Sequence, residues 1–183
     1  LFSGPMVRAI LEGRKTQTRR VIKPQPESLD LISRNIIPYN GSPEFLASNI
    51  KCPCGAVGDR LWVRERHQLL RPFTGDIEND LTKFDVNYYA TDNERYRDKE
   101  KWRPSIHMPR WASRITLEIT GVRVERLQDI TNNDALDEGT PDLRTIENGW
   151  DMRRCFQDLW EQINGAGSWA ENPWVWVIDF KKV

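Results

Sequence analysis

Eight consecutive residues, Gly13-Arg14-Lys15-Thr16-Gln17-Thr18-Arg19-Arg20, hold four cations and two hydroxyls in a chain of 183 residues whose formal net charge is zero. Clustering of this kind builds a local positive field, which suits a pocket for an anionic or oxygen-rich ligand. The plain alternative is a charged turn after a helix. A second concentration lies downstream, where Trp102 and Trp111 flank Arg103, Arg110 and Arg114. Rings beside guanidinium groups fit base stacking next to phosphate contacts, and core packing competes for the same tryptophans. Trp62 is expected to face the same interior or cleft. His107, set between Ile106 and Met108, reads as a hydrogen-bonded packing residue, and with only His67 for company it offers no metal cluster. Cys52, Cys54 and Cys155 form neither a disulfide framework nor a zinc site, because no second ligand pair answers Cys52-Pro53-Cys54. No metal or cofactor is expected, and the reduced, intracellular setting is preferred.

These groups need elements to position them. Residues 5–12 read as a helix, with Pro5 in the first turn, Met6, Val7, Ile10 and Leu11 on one face, and Gly13 at the exit. Residues 18–22 then extend as a strand. Pro, Ser, Asn and Gly mark 23–56 as an irregular excursion. After the Gly58-Asp59 turn, residues 60–65 alternate as a strand, and 66–101 are polar around one strand at 86–90. Ile115, Leu117 and Ile119 alternate with Thr116, Glu118 and Thr120, and Gly121 is placed for a bulge. Residues 129–138 form a short helix with Thr131 as cap and Gly139 as exit. Met152, Cys155, Phe156, Leu159, Trp160 and Ile163 make one stripe of a helix over 151–163. Trp174 to Phe180 is apolar enough for a strand buried on both faces.

One α+β domain over 1–183 is therefore expected, a small mixed barrel with packed helices and two loop-rich insertions at about 24–56 and 66–101. No apolar run approaches the ~18 residues that span a bilayer, so no membrane partner is expected. Leu1 stands where an initiator Met would, which reads as a trimmed start and takes the weight from a missing leader.

The order of these pieces resembles the ASCH family, a branch of the PUA-like barrels. Its Gly-x-Lys-x-x-x-x-Arg motif is matched by Gly13, Lys15 and Arg20, and its Gly-Asp-x-Leu-x-Val strand by Gly58, Asp59, Leu61 and Val63. The strand Ile115–Thr120 and the aromatic C-terminal strand complete the likeness. Trp102-Arg103-Pro104-Ser105-Ile106-His107-Met108-Pro109-Arg110-Trp111-Ala112 is similar to a signature of the larger ASCH proteins encoded by temperate phages of enteric bacteria. A compact branch consists of amidohydrolases that deacetylate N4-acetylcytidine through a Lys, a Thr three residues on and a strand Glu. The resemblance places these on Lys15, Thr18 and Glu118, and implies a protein of the bacterial cytoplasm.

Amide hydrolysis needs a nucleophile, a base and a proton donor for the amine that leaves. Thr18 offers the hydroxyl. Lys15 serves as base once its pKa is lowered, and Arg14, Arg19 and Arg20 push that way because each disfavours a further positive charge. Glu118 would protonate the leaving nitrogen or orient Lys15, and Arg20 would position Glu118 or hold a ligand oxygen. Arg19, Arg20, Trp62, Trp102, Arg110 and Trp111 complete the expected ligand-binding set. The first function is thus a metal-independent amidohydrolase acting on N4-acylated cytidine or a related modified nucleoside. The second is a non-catalytic module that binds single-stranded RNA or a modified base, since a neutral chain is poorly suited to nonspecific duplex binding. The third is a ribonuclease using Lys and Glu in place of a histidine pair.

Overall fold

The most apolar stretch of the chain becomes the middle of its sheet. In the computed structural model, which describes residues 2–26, 42–70, 85–92, 102–140 and 151–183, β6 (Trp174–Lys182) lies between β1 (Gln17–Val21) and β5 (Thr116–Arg126). A short β2 (Arg60–Trp62) joins the far side of β5, giving an antiparallel sheet in the order β1-β6-β5-β2 that curls as a half-barrel. Both faces of β6 are covered, as its composition requires. Trp174, Trp176 and Ile178 pack with Ile22, Leu46 and Ile119, while Val175 and Val177 pack with Phe156 and Trp160. The architecture is α+β.

On β5 the alternation holds: Ile115, Leu117 and Ile119 are buried and Thr116, Glu118 and Thr120 face the other way. The register slips between Ile119 and Gly121, where an added Cβ would stand 2.6 Å from Asp179 Oδ2. Only glycine fits that bulge. Trp62 pairs with Thr116 and so stands on the face opposite Leu117, which corrects its expected place in the interior.

The helix α1 (Gly4–Leu11) buries Val7, Ala9 and Ile10, and Gly13 at φ +75° turns the chain back into β1. On the other side of β1 is α5 (Met152–Asn164), capped by the Asp151 carboxylate. Its buried stripe is narrower than the spacing indicates: Met152, Phe156 and Trp160 are buried, Cys155 and Leu159 are half-buried, and Ile163 is exposed. Leu159 and Ile163 line an open groove beside β1, which explains the difference.

The short α4 (Asn132–Asp137) is held by a complete capping box, in which Thr131 accepts from Asp134 N and Asp134 accepts from Thr131 N. Thr131→Ala is expected to cost about 1 kcal/mol of stability in urea unfolding. The loss matters because α4 ends on Glu138, which the site uses.

The two irregular stretches hold more than was expected. Within 23–56 lies α2 (Pro43–Asn49), started by Ser42 as cap and Pro43, and anchored by the buried Leu46. Seven residues are too short to show a helical period. Within 66–101, β3 (His67–Leu70) pairs with β4 (Asp85–Tyr88), and α3 (Tyr89–Asp92) follows. Residues 27–41, 71–84 and 93–101 of these stretches lie outside the described residues. No helix among the described residues is long and apolar enough to cross a membrane.

Candidate active site

Lys15 enters the structure as a buried cation, 2% exposed, at the mouth of β1. An isolated bridge to Glu138 and a bond from Thr16 N to Asp137 O tie it to the end of α4. Its Nζ donates to Glu138 Oε2 at 2.7 Å, to Glu138 O at 2.7 Å and to Gln17 O at 2.8 Å. Three donors meet three acceptors, so the ammonium is fully satisfied. The bond to Glu138 O also occupies a carbonyl that the helix end leaves without an intrahelical partner. Gly139 makes this closeness possible: at φ +84°, a Cβ there would come within 2.9 Å of Lys15 Cβ and 3.0 Å of Ala9 Cβ.

Burial pulls the Lys15 pKa below its ordinary 10.5, Glu138 opposes that, and Arg20 and Arg19 add to the lowering. The sign of the linkage follows. Between the depressed folded pKa and 10.5, the unfolded chain holds a proton that the folded chain has released, so stability rises with pH across that window. Lys15→Met is expected to remove this part of the slope, measured as unfolding free energy against pH.

Thr18 lies on β1 opposite Ile178. The bonds from Phe180 N to Thr16 O and from Ile22 N to Trp174 O show that even-numbered residues of β1 face β6 with their backbone. The carbonyls of Gln17 and Arg19 therefore point to the free edge. Lys15 Nζ grips the carbonyl of the peptide that joins Gln17 to Thr18. Thr18, Arg20, Glu138, Leu159 and Ile163 line the groove between that edge and α5. The Thr18 hydroxyl makes no hydrogen bond among the described residues. Arg20 has no carboxylate partner among them either; its guanidinium stands 5.5 Å from the Phe2 ring centre and its Nη1 donates to Arg19 O.

Arg19 plays a different part from the one expected. It is buried and surrounded by Glu125 (3.2 Å), Glu138 (3.4 Å) and Asp134 (3.6 Å). Arg123 extends the network to Asp134 and Asp179, and Gln17 donates to Asp179 at 2.7 Å. Arg19 thus fixes Glu138 through Oε1, the oxygen that Lys15 leaves, while still lining the same groove.

Glu118 is not brought to Lys15. β6 separates its strand from β1, and its Oε1 accepts from Lys181 Nζ at 2.8 Å. The Lys181 hydrogen bond and charge hold the Glu118 carboxyl below the usual carboxylate range, so it is ionised and has no proton to hand over. The acid that meets Lys15 is Glu138, which sequence reasoning missed. Its one signal was an anion at a helix C-terminus, where the helix dipole disfavours it unless cations stand by.

The tryptophan set gathers elsewhere. Trp62 sits between Arg64 at 4.5 Å and Arg110 at 5.7 Å on β2, the opposite edge of the sheet from Thr18. Trp102 meets the Tyr89 ring edge-on at 5.4 Å, and Trp111 is 58% exposed. His107 is exposed in a 3₁₀ turn, contrary to a packing role, because Met108 takes the buried position beside it. No group of three or more His, Cys, Asp or Glu among the described residues is arranged to hold a metal ion. No protein-family model, curated protein or solved structure matches this chain.

Proposed function

We propose that this chain is an amidohydrolase of the PUA-like ASCH type that removes the acyl group from N4-acylated cytidine or a related modified nucleoside, in the cytoplasm of a bacterial host. The observation that carries the proposal is a buried lysine of lowered pKa, held by Glu138 on the peptide that joins Gln17 to Thr18, beside a groove that Thr18, Arg20 and Glu138 line.

In the proposed reaction Lys15 passes one proton to Glu138, and rotation about Cε–Nζ turns the freed lone pair to the Thr18 hydroxyl. Lys15 takes the hydroxyl proton as Thr18 Oγ1 bonds to the acyl carbon. Arg20, a cation with no carboxylate to neutralise it, stabilises the negative charge that grows on the carbonyl oxygen. As the C–N bond breaks, the Lys15 ammonium returns its proton to the departing amine. Water then attacks the acyl carbon as Lys15 accepts one of its protons, the bond from that carbon to Thr18 Oγ1 breaks as Lys15 returns the proton to Oγ1, and Glu138 gives its own proton back to Lys15, leaving carboxylic acid, free hydroxyl and the starting ion pair. The test is incubation with N4-acetylcytidine and a panel of N4-acylated cytidines, following cytidine by chromatography. Release is expected, rising with pH as Lys15 loses its proton. Absence of release from every member would refute the proposal.

A second reading, binding of single-stranded RNA or a modified base without reaction, is favoured by one feature. Arg64 and Arg110 are exposed, form no ion pair among the described residues and stand 4.5 and 5.7 Å from the centre of the Trp62 ring. This reading predicts affinity that falls with salt as phosphate contacts are screened.

A further inference from the structure

Phe2 stands between the Lys15–Arg20 corner and a cavity. Its ring has Lys15 Nζ at 5.7 Å and Arg20 at 5.5 Å from its centre and packs edge-on against Phe180. The same residue lines a cavity of about 400 Å³ between α1, α3 and Pro104. That volume falls in the range of small-ligand sites, roughly 300–1,000 Å³. The cavity is not the groove of Thr18, and nothing described so far uses it.

Its lining specifies a ligand. Phe2, Val7, Tyr89 and Pro104 supply apolar walls. The hydroxyls of Ser3 and Ser105 line it as well, and neither makes a hydrogen bond among the described residues. Glu65, buried, lends carboxylate acceptors, with its charge balanced by two bonds from Arg114 at 2.9 and 3.0 Å. Arg66 is exposed, rests 4.7 Å from the Tyr89 ring centre and has no carboxylate partner among the described residues. With Glu65 and Arg114 cancelling, the described residues that line the cavity leave one net positive charge, at Arg66. An aliphatic ligand would leave hydroxyls and carboxylate unused. A planar heterocycle with a donor–acceptor edge uses them, and a cation at the rim calls for an anion on the same molecule.

We infer that this cavity seats a nucleotide unit, its heterocycle against Phe2 and Tyr89 and its phosphate at Arg66. It adds to the groove of Thr18 a separate site for a nucleoside monophosphate, free or within RNA.

Calorimetric titration of the full chain with cytidine and cytidine 5′-monophosphate tests it. The monophosphate is expected to bind about tenfold tighter, Arg66→Ala to bring the two affinities together, and Ser105→Trp, which fills the cavity from its rim, to abolish both. Equal affinities in the unaltered protein, no binding of the monophosphate, or a ratio that survives Arg66→Ala would overturn it. A trinucleotide containing cytidine separates the sources: tighter binding than the monophosphate points to RNA, weaker binding to the free nucleotide, and either supports the assignment. Turnover of N4-acetylcytidine and its monophosphate keeps the two readings apart. Monophosphate binding without release leaves the cavity assignment standing and removes the hydrolase. Release without binding of the monophosphate in excess of cytidine does the reverse.

Discussion

Glu138→Ala is expected to lower the unfolding free energy by about 3–5 kcal/mol, because it strands a buried ammonium without its counter-charge. Lys15 would keep two carbonyl acceptors, Gln17 O and Glu138 O, but no anion within reach. Arg19 would lose one of its three carboxylates at the same stroke. Urea unfolding reads the effect as a drop in the midpoint at constant slope. The matched control is Glu118→Ala, which breaks an ion pair open to solvent and is expected to leave the midpoint unchanged. If the two variants unfold alike, the Lys15–Glu138 pair does not hold this corner of the fold.

The contrast between these glutamates shows what could be read in the chain. Local periods carried the strands and helices whose burial is regular. β5 alternates, β6 is apolar from Trp174 to Ile178, and α4 carries its own cap and exit signals in Thr131 and Gly139. Lys15 and Thr18 were singled out by the resemblance to the family motif, and Lys15 Nζ bonds to the carbonyl of Gln17, one residue before Thr18. Their acid was not legible, since Glu138 lies 123 residues from Lys15 and meets it only through the way α4 docks on β1. A strand position such as Glu118 advertises itself by alternation. A helix-end position such as Glu138 is marked only by an electrostatic cost, and the partners that offset that cost are far along the sequence.

Arg19 illustrates the same limit from the other side. In the sequence it is one of four equivalent cations, yet its odd-numbered place on β1 turns it with Val177 toward the face where α5 packs. Arg20, one residue on, shares a face with Thr18 and stays without a carboxylate. Strand parity separates a structural cation from one that is free to meet a ligand. The tryptophans divided by topology in a similar way: Trp62 and Thr18 occupy opposite edges of the sheet, so composition alone grouped residues that the fold keeps apart.

Thr18→Ala is expected to reduce kcat/KM for N4-acylated cytidine by at least about 10³-fold, since no other hydroxyl of β1 shares its face and its groove. Its fold should survive. The Thr18 hydroxyl makes no hydrogen bond among the described residues, so its removal is expected to change stability by no more than about 1 kcal/mol. Thr18→Ser keeps the oxygen and is expected to retain measurable turnover, which distinguishes loss of a nucleophile from loss of a methyl group. Mass spectrometry of rapidly quenched enzyme adds an independent reading. An acyl adduct should appear on the peptide containing Thr18 and be absent from the alanine variant. Full activity in Thr18→Ala would transfer the attack to water, with Lys15 as its base and Glu138 behind it. The Lys15–Glu138 pair would then remain the centre of the chemistry, and the groove would bind the ligand without bonding to it.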